Sequence, residues 1–246
     1  MTDDGDMLRS RLSRRWLTIG VPGIHDVDGT YGAVDLATVP PVAPVLDGTL
    51  AWLLGWPACD PSLVRGPDDG PEREADRAGL LAVAGDLPLP SAFERFIGDP
   101  EPRRHLRSAT SCYLDLGHLP VRLGDGGRLI HVVSDQQWVL RWLLYVGPDG
   151  SEAVVVTGDP LGFEDGGSEP VRVLDVDQAA RIMALCADTF EEFLYRFWAE
   201  NELFFRLTED RVELQALPDE LRAYAEAFPA SAAPRRRPGW RGLWRR

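Results

Sequence analysis

The sequence predicts an α+β fold, an antiparallel sheet of four to six strands packed against helices. Three observations point there. Two strand-like runs, Trp138 to Val146 and Glu152 to Thr157, flank the turn Gly147-Pro148-Asp149-Gly150, which is hairpin punctuation. A long aromatic helix then follows from Asp188 or Thr189, with Phe190, Phe193, Leu194, Phe197, Trp198, Asn201, Phe204 and Phe205 on one stripe. The chain has 246 residues, 44% of them apolar, enough to bury a real core around such a unit.

In chain order, residues 1 to 15 open acidic and turn basic, and read as a frayed start or a short helix. Short apolar runs then alternate with Gly and Pro: Trp16 to Ile19, Gly32 to Leu36 and Leu50 to Leu54, with prolines at 22, 40, 41, 44 and 57 ruling out a long helix. The stretch 57 to 75 is rich in Pro, Gly and Asp and reads as a linker or loop, so residues 1–75 form an irregular, short-strand extension. Residues 76–230 form the α+β domain and 231–246 a basic tail expected to be disordered or docked on the acidic body. Residues 76 to 84 suit a short helix. Pro90-Ser91-Ala92-Phe93-Glu94 reads as a helix start, with Ser91 as cap, Glu94 completing a capping box, and Phe93, Phe96 and Ile97 facing the core.

Ala109 to Leu116 reads as a strand, Gly124 to Gly127 as a tight turn, and Arg128 to Ser134 as the next strand. In Trp138 to Val146 the period-two pattern puts Trp138, Leu140, Trp142, Leu144 and Val146 on a core face. Val139, Arg141, Leu143 and Tyr145 fall on a mixed face, open to solvent or a partner. Val171 to Val173 reads as a short strand, Val176 to Ala187 as a helical stretch, and Pro218 starts a last helix with Leu221, Tyr224, Ala225 and Phe228 on one side.

The order of these elements carries a resemblance. A proline-flanked short helix (Leu87-Pro88-Leu89-Pro90-Ser91-Ala92-Phe93-Glu94-Arg95-Phe96-Ile97) precedes the meander, and the helix Thr189-Phe190-Glu191-Glu192-Phe193-Leu194 follows it. Over residues 80 to 228 this resembles the SMI1/KNR4-like (SUKH) superfamily, whose domains close with a Ser/Thr-Phe-x-x-Phe-Leu helix. The asparagine–glycine step usual after that family's first helix is replaced here by Ile97-Gly98-Asp99-Pro100. The resemblance implies a domain that binds other proteins through one sheet face and adjoining loops. Many bacterial members look like immunity proteins that neutralise toxin domains, others like regulatory modules, and no catalytic residue set is shared.

Composition narrows the function further. All 26 basic residues are arginine, a bias typical of GC-rich bacterial genomes, and the net charge is −13. Phosphate contacts need clustered positive charge, so the main body is not expected to bind nucleic acid and instead suits a basic protein partner. Three widely spaced cysteines make no metal pattern or disulfide framework, and no signal-peptide stretch opens the sequence, so a reduced cytoplasm is the expected setting.

No nucleophile elbow, phosphate-binding Gly loop or His-Glu-x-x-His helix is present, and no motif asks for a cofactor or a metal. The candidate partner-binding residues are Asp135 and Gln136, a polar turn beside Trp138, together with Arg141 and Tyr145 on the mixed face and Glu164 in an acidic loop. An enzymatic alternative would use His25, Asp26 and Asp28, since a histidine with two carboxylates can hold a divalent cation or serve hydrolysis. Asp in a Gly-rich loop otherwise serves turns. A third reading uses the tail: Arg235, Arg236, Arg237, Trp240 and Trp244 combine charge and stacking surface for membrane or RNA. Taking the six tail arginines from 26 leaves 20 against 39 acids, a body of −19.

Overall fold

A computed structural model describes residues 7–59, 63, 87–116, 121–161 and 173–228. Its sheet has nine strands among these residues: β1 (Ser13–Thr18), β2 (Gly32–Asp35), β3 (Tyr113–Leu114), β4 (Val121–Leu123), β5 (Arg128–Ser134), β6 (Arg141–Val146), β7 (Glu152–Thr157), β8 (Val173–Leu174) and β9 (Met183–Ala187). The order across the sheet is β2-β1-β9-β7-β6-β5-β4-β8, and β3 pairs with β5. The α+β class holds, but the sheet is larger than the expected four to six strands and is mixed: β1 runs parallel to β9 and β4 parallel to β8.

The extra strands have two sources. The N-terminal stretch, expected as an extension, supplies β1 and β2, and Trp16 and Leu17 lie in the same core as the central strands. The stretch 176–187, expected to be helical, is helical only over Val176–Ile182. Met183–Ala187 is a fully buried strand between β7 and β1.

Seven α-helices lie among the described residues: α1 (Met7–Arg11), α2 (Ala51–Leu54), α3 (Ser91–Gly98), α4 (Pro100–Arg104), α5 (Val176–Ile182), α6 (Phe190–Thr208) and α7 (Asp219–Ala227). Helix α3 buries Phe93, Phe96 and Ile97 as the pattern predicts, but its cap is Pro90 without a side-chain hydrogen bond, not Ser91. The Ser91 hydroxyl instead faces the backbone at Gly48. The expected strand at 109–116 shrinks to Tyr113–Leu114. The expected helix at 76–84, residues 171–172 and the tail lie outside the described residues.

Helix α6 is the centre of the packing. Thr189 caps it, its hydroxyl accepting the Glu192 amide at 3.1 Å, while Glu192 Oε2 accepts the Asp188 amide at 2.9 Å. Phe193 meets Trp16, Trp142, Phe190 and Phe197, and Phe190 meets Phe93 and Phe96 from α3. The stripe predicted an amphipathic helix, yet Glu191, Arg196, Glu200 and Glu202 are buried as well. The N-terminal stretch and α7 cover the polar side: Trp52 packs on Tyr195 and Trp198, and Tyr224 on Tyr195.

The tight turn between β4 and β5 shows how closely the sheet is covered. A Cβ added at Gly127 would sit 2.5 Å from the ring edge of Tyr145 and 3.1 Å from Asp125 Oδ1. Gly127→Ala is therefore expected to lose about 1–3 kcal/mol by overpacking. Urea unfolding checks this, and Tyr145→Leu in the same background should recover part of the loss.

Candidate functional site

The connection from β5 to β6 is exposed at its tip and held by a dense set of hydrogen bonds. The register pairs Ser134 with Arg141, which leaves 135–140 as a loop rather than the start of a strand. Asp135 organises it. Its Oδ1 accepts the amides of Val139 (2.7 Å) and Leu140 (3.1 Å), its own amide donates to Leu140 O (3.1 Å), and the Trp138 amide donates to Asp135 O (3.0 Å). These bonds hold Trp138 at φ 58°, in the left-handed region that a bulky side chain rarely adopts. The result is display. Trp138 is 40% exposed and Val139 38%, two of the exposed large apolar side chains among the described residues.

The indole is supported from below. The Arg141 guanidinium lies 5.4 Å from its ring centre, a cation–π contact. Beside it, Tyr113 faces the Ser134 and Trp138 side chains, and its hydroxyl is pushed up to about 12, first by burial and then by Asp115. Deeper still, the Ser134 hydroxyl donates to Asp115 Oδ2 at 2.8 Å and lies 2.9 Å from His131 Nε2. Burial lowers His131 to about 4, with Asp115 opposing and Arg141 reinforcing the shift.

Serine, histidine and carboxylate meet here in the wrong order for nucleophilic catalysis. The Ser134 hydroxyl lies between two acceptors, Asp115 Oδ2 and the His131 ring, so it is not committed to a histidine base as a serine nucleophile is. Ser134 is also fully buried. The cluster pins β3, β5 and β6 together under the Trp138 loop.

The residues expected to contact a partner fall differently from one another. Gln136 is exposed at the loop tip. Asp135 is buried and spends its carboxylate on the loop backbone. Arg141 and Tyr145 are not on an open face: they are 1% and 0% exposed. Arg141 lies beneath Trp138, and Tyr145 lies against Gly127 with its hydroxyl donating to Asp125 Oδ2 at 3.2 Å. Both faces of β6 are covered, so alternation within one strand does not mark a solvent side. Glu164 and the tail residues Arg235, Arg236, Arg237, Trp240 and Trp244 lie outside the described residues.

Trp138, expected on the core face, is the side chain that comes out. The sequence signal for this was the Asp135-Gln136-Gln137 turn directly before it.

The enzymatic alternative finds no convergence. The His25 ring stacks on Phe228 at 5.1 Å, and burial lowers its pKa. Asp26 and Asp28 are exposed, and no group of three His, Cys, Asp or Glu side chains among the described residues could hold a metal ion.

A cleft of about 400 Å³ opens at the start of α6, lined in part by Gly48, Ser91, Glu152, Glu191, Glu192 and Arg196. Its carboxylates already serve the chain. Glu191 accepts the Gly48 amide (2.7 Å) and Trp52 Nε1 (3.0 Å), Glu152 accepts the Phe190 amide (2.9 Å), and Glu192 is held by Arg196 (2.8 Å). Glu152 is pushed up by its burial, and Glu191 adds to that shift. The cleft's polar groups therefore tie the 40–52 stretch and β7 to the helix start.

The cysteines are free, with Cys112 and Cys186 buried and Cys59 half-buried. No helix among the described residues is long and apolar enough to cross a membrane. No family model, no curated protein and no solved structure matches the chain.

Proposed function

We propose that this chain is a non-enzymatic protein-binding domain of SUKH type and that it docks its partner through the 135–139 loop. The observation that carries the reading is the rigid display of Trp138 and Val139 by Asp135, at the cost of a left-handed backbone at Trp138. An exposed tryptophan whose ring and backbone are already ordered binds with little further loss of freedom, and tryptophan is enriched at binding hot spots. The net charge of −13 favours a basic partner surface. The narrower reading, an immunity protein for a toxin domain, rests on the family resemblance and this sign of charge.

Trp138→Gly separates display from folding. Glycine adopts the positive φ without strain, so fold stability should stay within about 1 kcal/mol of wild type. Affinity for the partner should fall by at least about 30-fold, the loss expected of a hot-spot residue. The assay is calorimetric titration with the partner recovered from the native host, and Val45→Ala, at an exposed apolar residue elsewhere, is the control. Unchanged affinity in Trp138→Gly would sink the docking site. For the narrower reading, a gene neighbourhood without toxin or secretion genes counts against immunity.

A further inference from the structure

Glu200 lies midway along α6, 1% exposed, against the end of β1. Its Oε1 accepts Trp16 Nε1 at 2.6 Å and its Oε2 accepts the Ile19 amide at 3.3 Å, with the Thr18 hydroxyl also within hydrogen-bond reach. No cation pairs with it among the described residues. Arg196, one turn earlier on α6, is committed to Glu192 and to Pro40 O. The other titratable groups around it are Tyr224 of α7, Cys186 of β9 and Tyr31, all held neutral by burial. Next to the carboxyl is a small pocket of about 10 Å³, bordered by Trp16, Tyr31, Trp142, Phe197 and Asn201. That is close to the space one water requires.

We propose that Glu200 is a proton-linked latch between the N-terminal strand β1 and helix α6. Trp16 Nε1 and the Ile19 amide are donors only, so of these three partners the Thr18 hydroxyl is the one that can accept the proton of a neutral Glu200. That hydroxyl accepts from neutral Glu200 and donates to the carboxylate, so the site satisfies both forms by one hydroxyl rotation. The forms differ in cost. A carboxylate here is an unpaired charge among aromatic rings, and water entering the adjacent pocket relieves it only by loosening the β1–α6 seam.

Burial raises the Glu200 pKa to about 7, against the hydrogen bonds from Trp16, Ile19 and Thr18. The folded state therefore holds the proton that the unfolded chain releases near its ordinary value of 4.5. The stabilisation is complete below pH 4.5 and is lost as pH rises through about 7. His131 has the opposite sign: lowered to about 4, it contributes stability above its ordinary 6.5 that is lost as pH falls toward 4. The comparison must therefore be made against a variant that leaves His131 unchanged.

The test uses the full chain. In ¹³C,¹⁵N-labelled protein the Glu200 carboxyl and Trp16 indole N–H resonances should titrate together with a midpoint near 7, and the Trp16 transition should vanish in Glu200→Gln. From about pH 5 to about pH 8, the folded-to-unfolded ratio of wild type should fall roughly 50–100-fold relative to Glu200→Gln. A Glu200 midpoint at or below about 5, the ordinary carboxylate range, overturns the proposal, as does a Trp16 transition that persists in Glu200→Gln. Should Glu200→Gln not fold, the wild-type carboxyl titration decides by itself.

Discussion

Phe193→Ala is expected to destabilise the protein by about 3–5 kcal/mol, the range for deleting a buried aromatic ring. Phe193 is 1% exposed and its ring lies 6.2 Å from Trp16, 6.3 Å from Trp142, 6.3 Å from Phe190 and 5.9 Å from Phe197. It is the point at which β1, β6 and α6 share one contact. The cavity left behind would be walled by rings held from three elements, so little collapse is available to offset the lost packing. Urea unfolding should show a lower midpoint with an unchanged slope. A loss below about 1.5 kcal/mol would mean that the surrounding rings repack, and that α6 is not a rigid centre of the packing.

Arg196→Leu is expected to cost about 3 kcal/mol or more, because it breaks a buried ion pair from one side only. The Arg196 guanidinium donates to Pro40 O at 2.6 Å and to Glu192 Oε1 at 2.8 and 3.2 Å, and the residue is 6% exposed. Removing it leaves the Pro40 carbonyl and one Glu192 oxygen without these donors. The double variant Arg196→Leu with Glu192→Leu should recover part of the loss, since apolar replacement of a whole buried pair is often close to neutral. A double variant as unstable as the sum of the two single ones would show that the pair is not a coupled unit. Arg196 also lowers the Glu200 pKa, so the single variant should move the Glu200 titration upward.

Local chemistry was legible wherever it acted alone. Arg128–Ser134, Glu152–Thr157, the Gly150 turn at φ 83° and the Thr189-capped aromatic helix all lie where their residues place them. In each, pattern, turn residue and cap agree, and no distant partner is needed to choose between helix and strand. Met183-Ala184-Leu185-Cys186-Ala187 is the opposite case. Nothing in its residue types favours a strand, and it becomes one because β7 on one side and β1 on the other supply its hydrogen bonds.

The candidate site divides the same way. The Asp135 turn beside Trp138 was visible in sequence as a polar loop, and Gln136 lies at its exposed tip. Arg141 and Tyr145 read as a mixed, accessible face because charge and hydroxyl normally seek water. The fold buries both, one beneath Trp138 and the other against Gly127 with Asp125 as hydrogen-bond acceptor. Trp138 moved the other way, because the pairing of Ser134 with Arg141 starts β6 only three residues after it and leaves Trp138 in the loop.

By itself the sequence determined the α+β class, the hairpin, the capped helix and most of the core, because propensity, period and capping act over a few residues. Only the tertiary structure decided which strands share the sheet, which faces are covered, and that Glu200 sits against β1 with no salt-bridge partner among the described residues. Those outcomes depend on contacts between residues far apart in the chain, and a buried carboxyl or an exposed indole is defined by the partners packed around it.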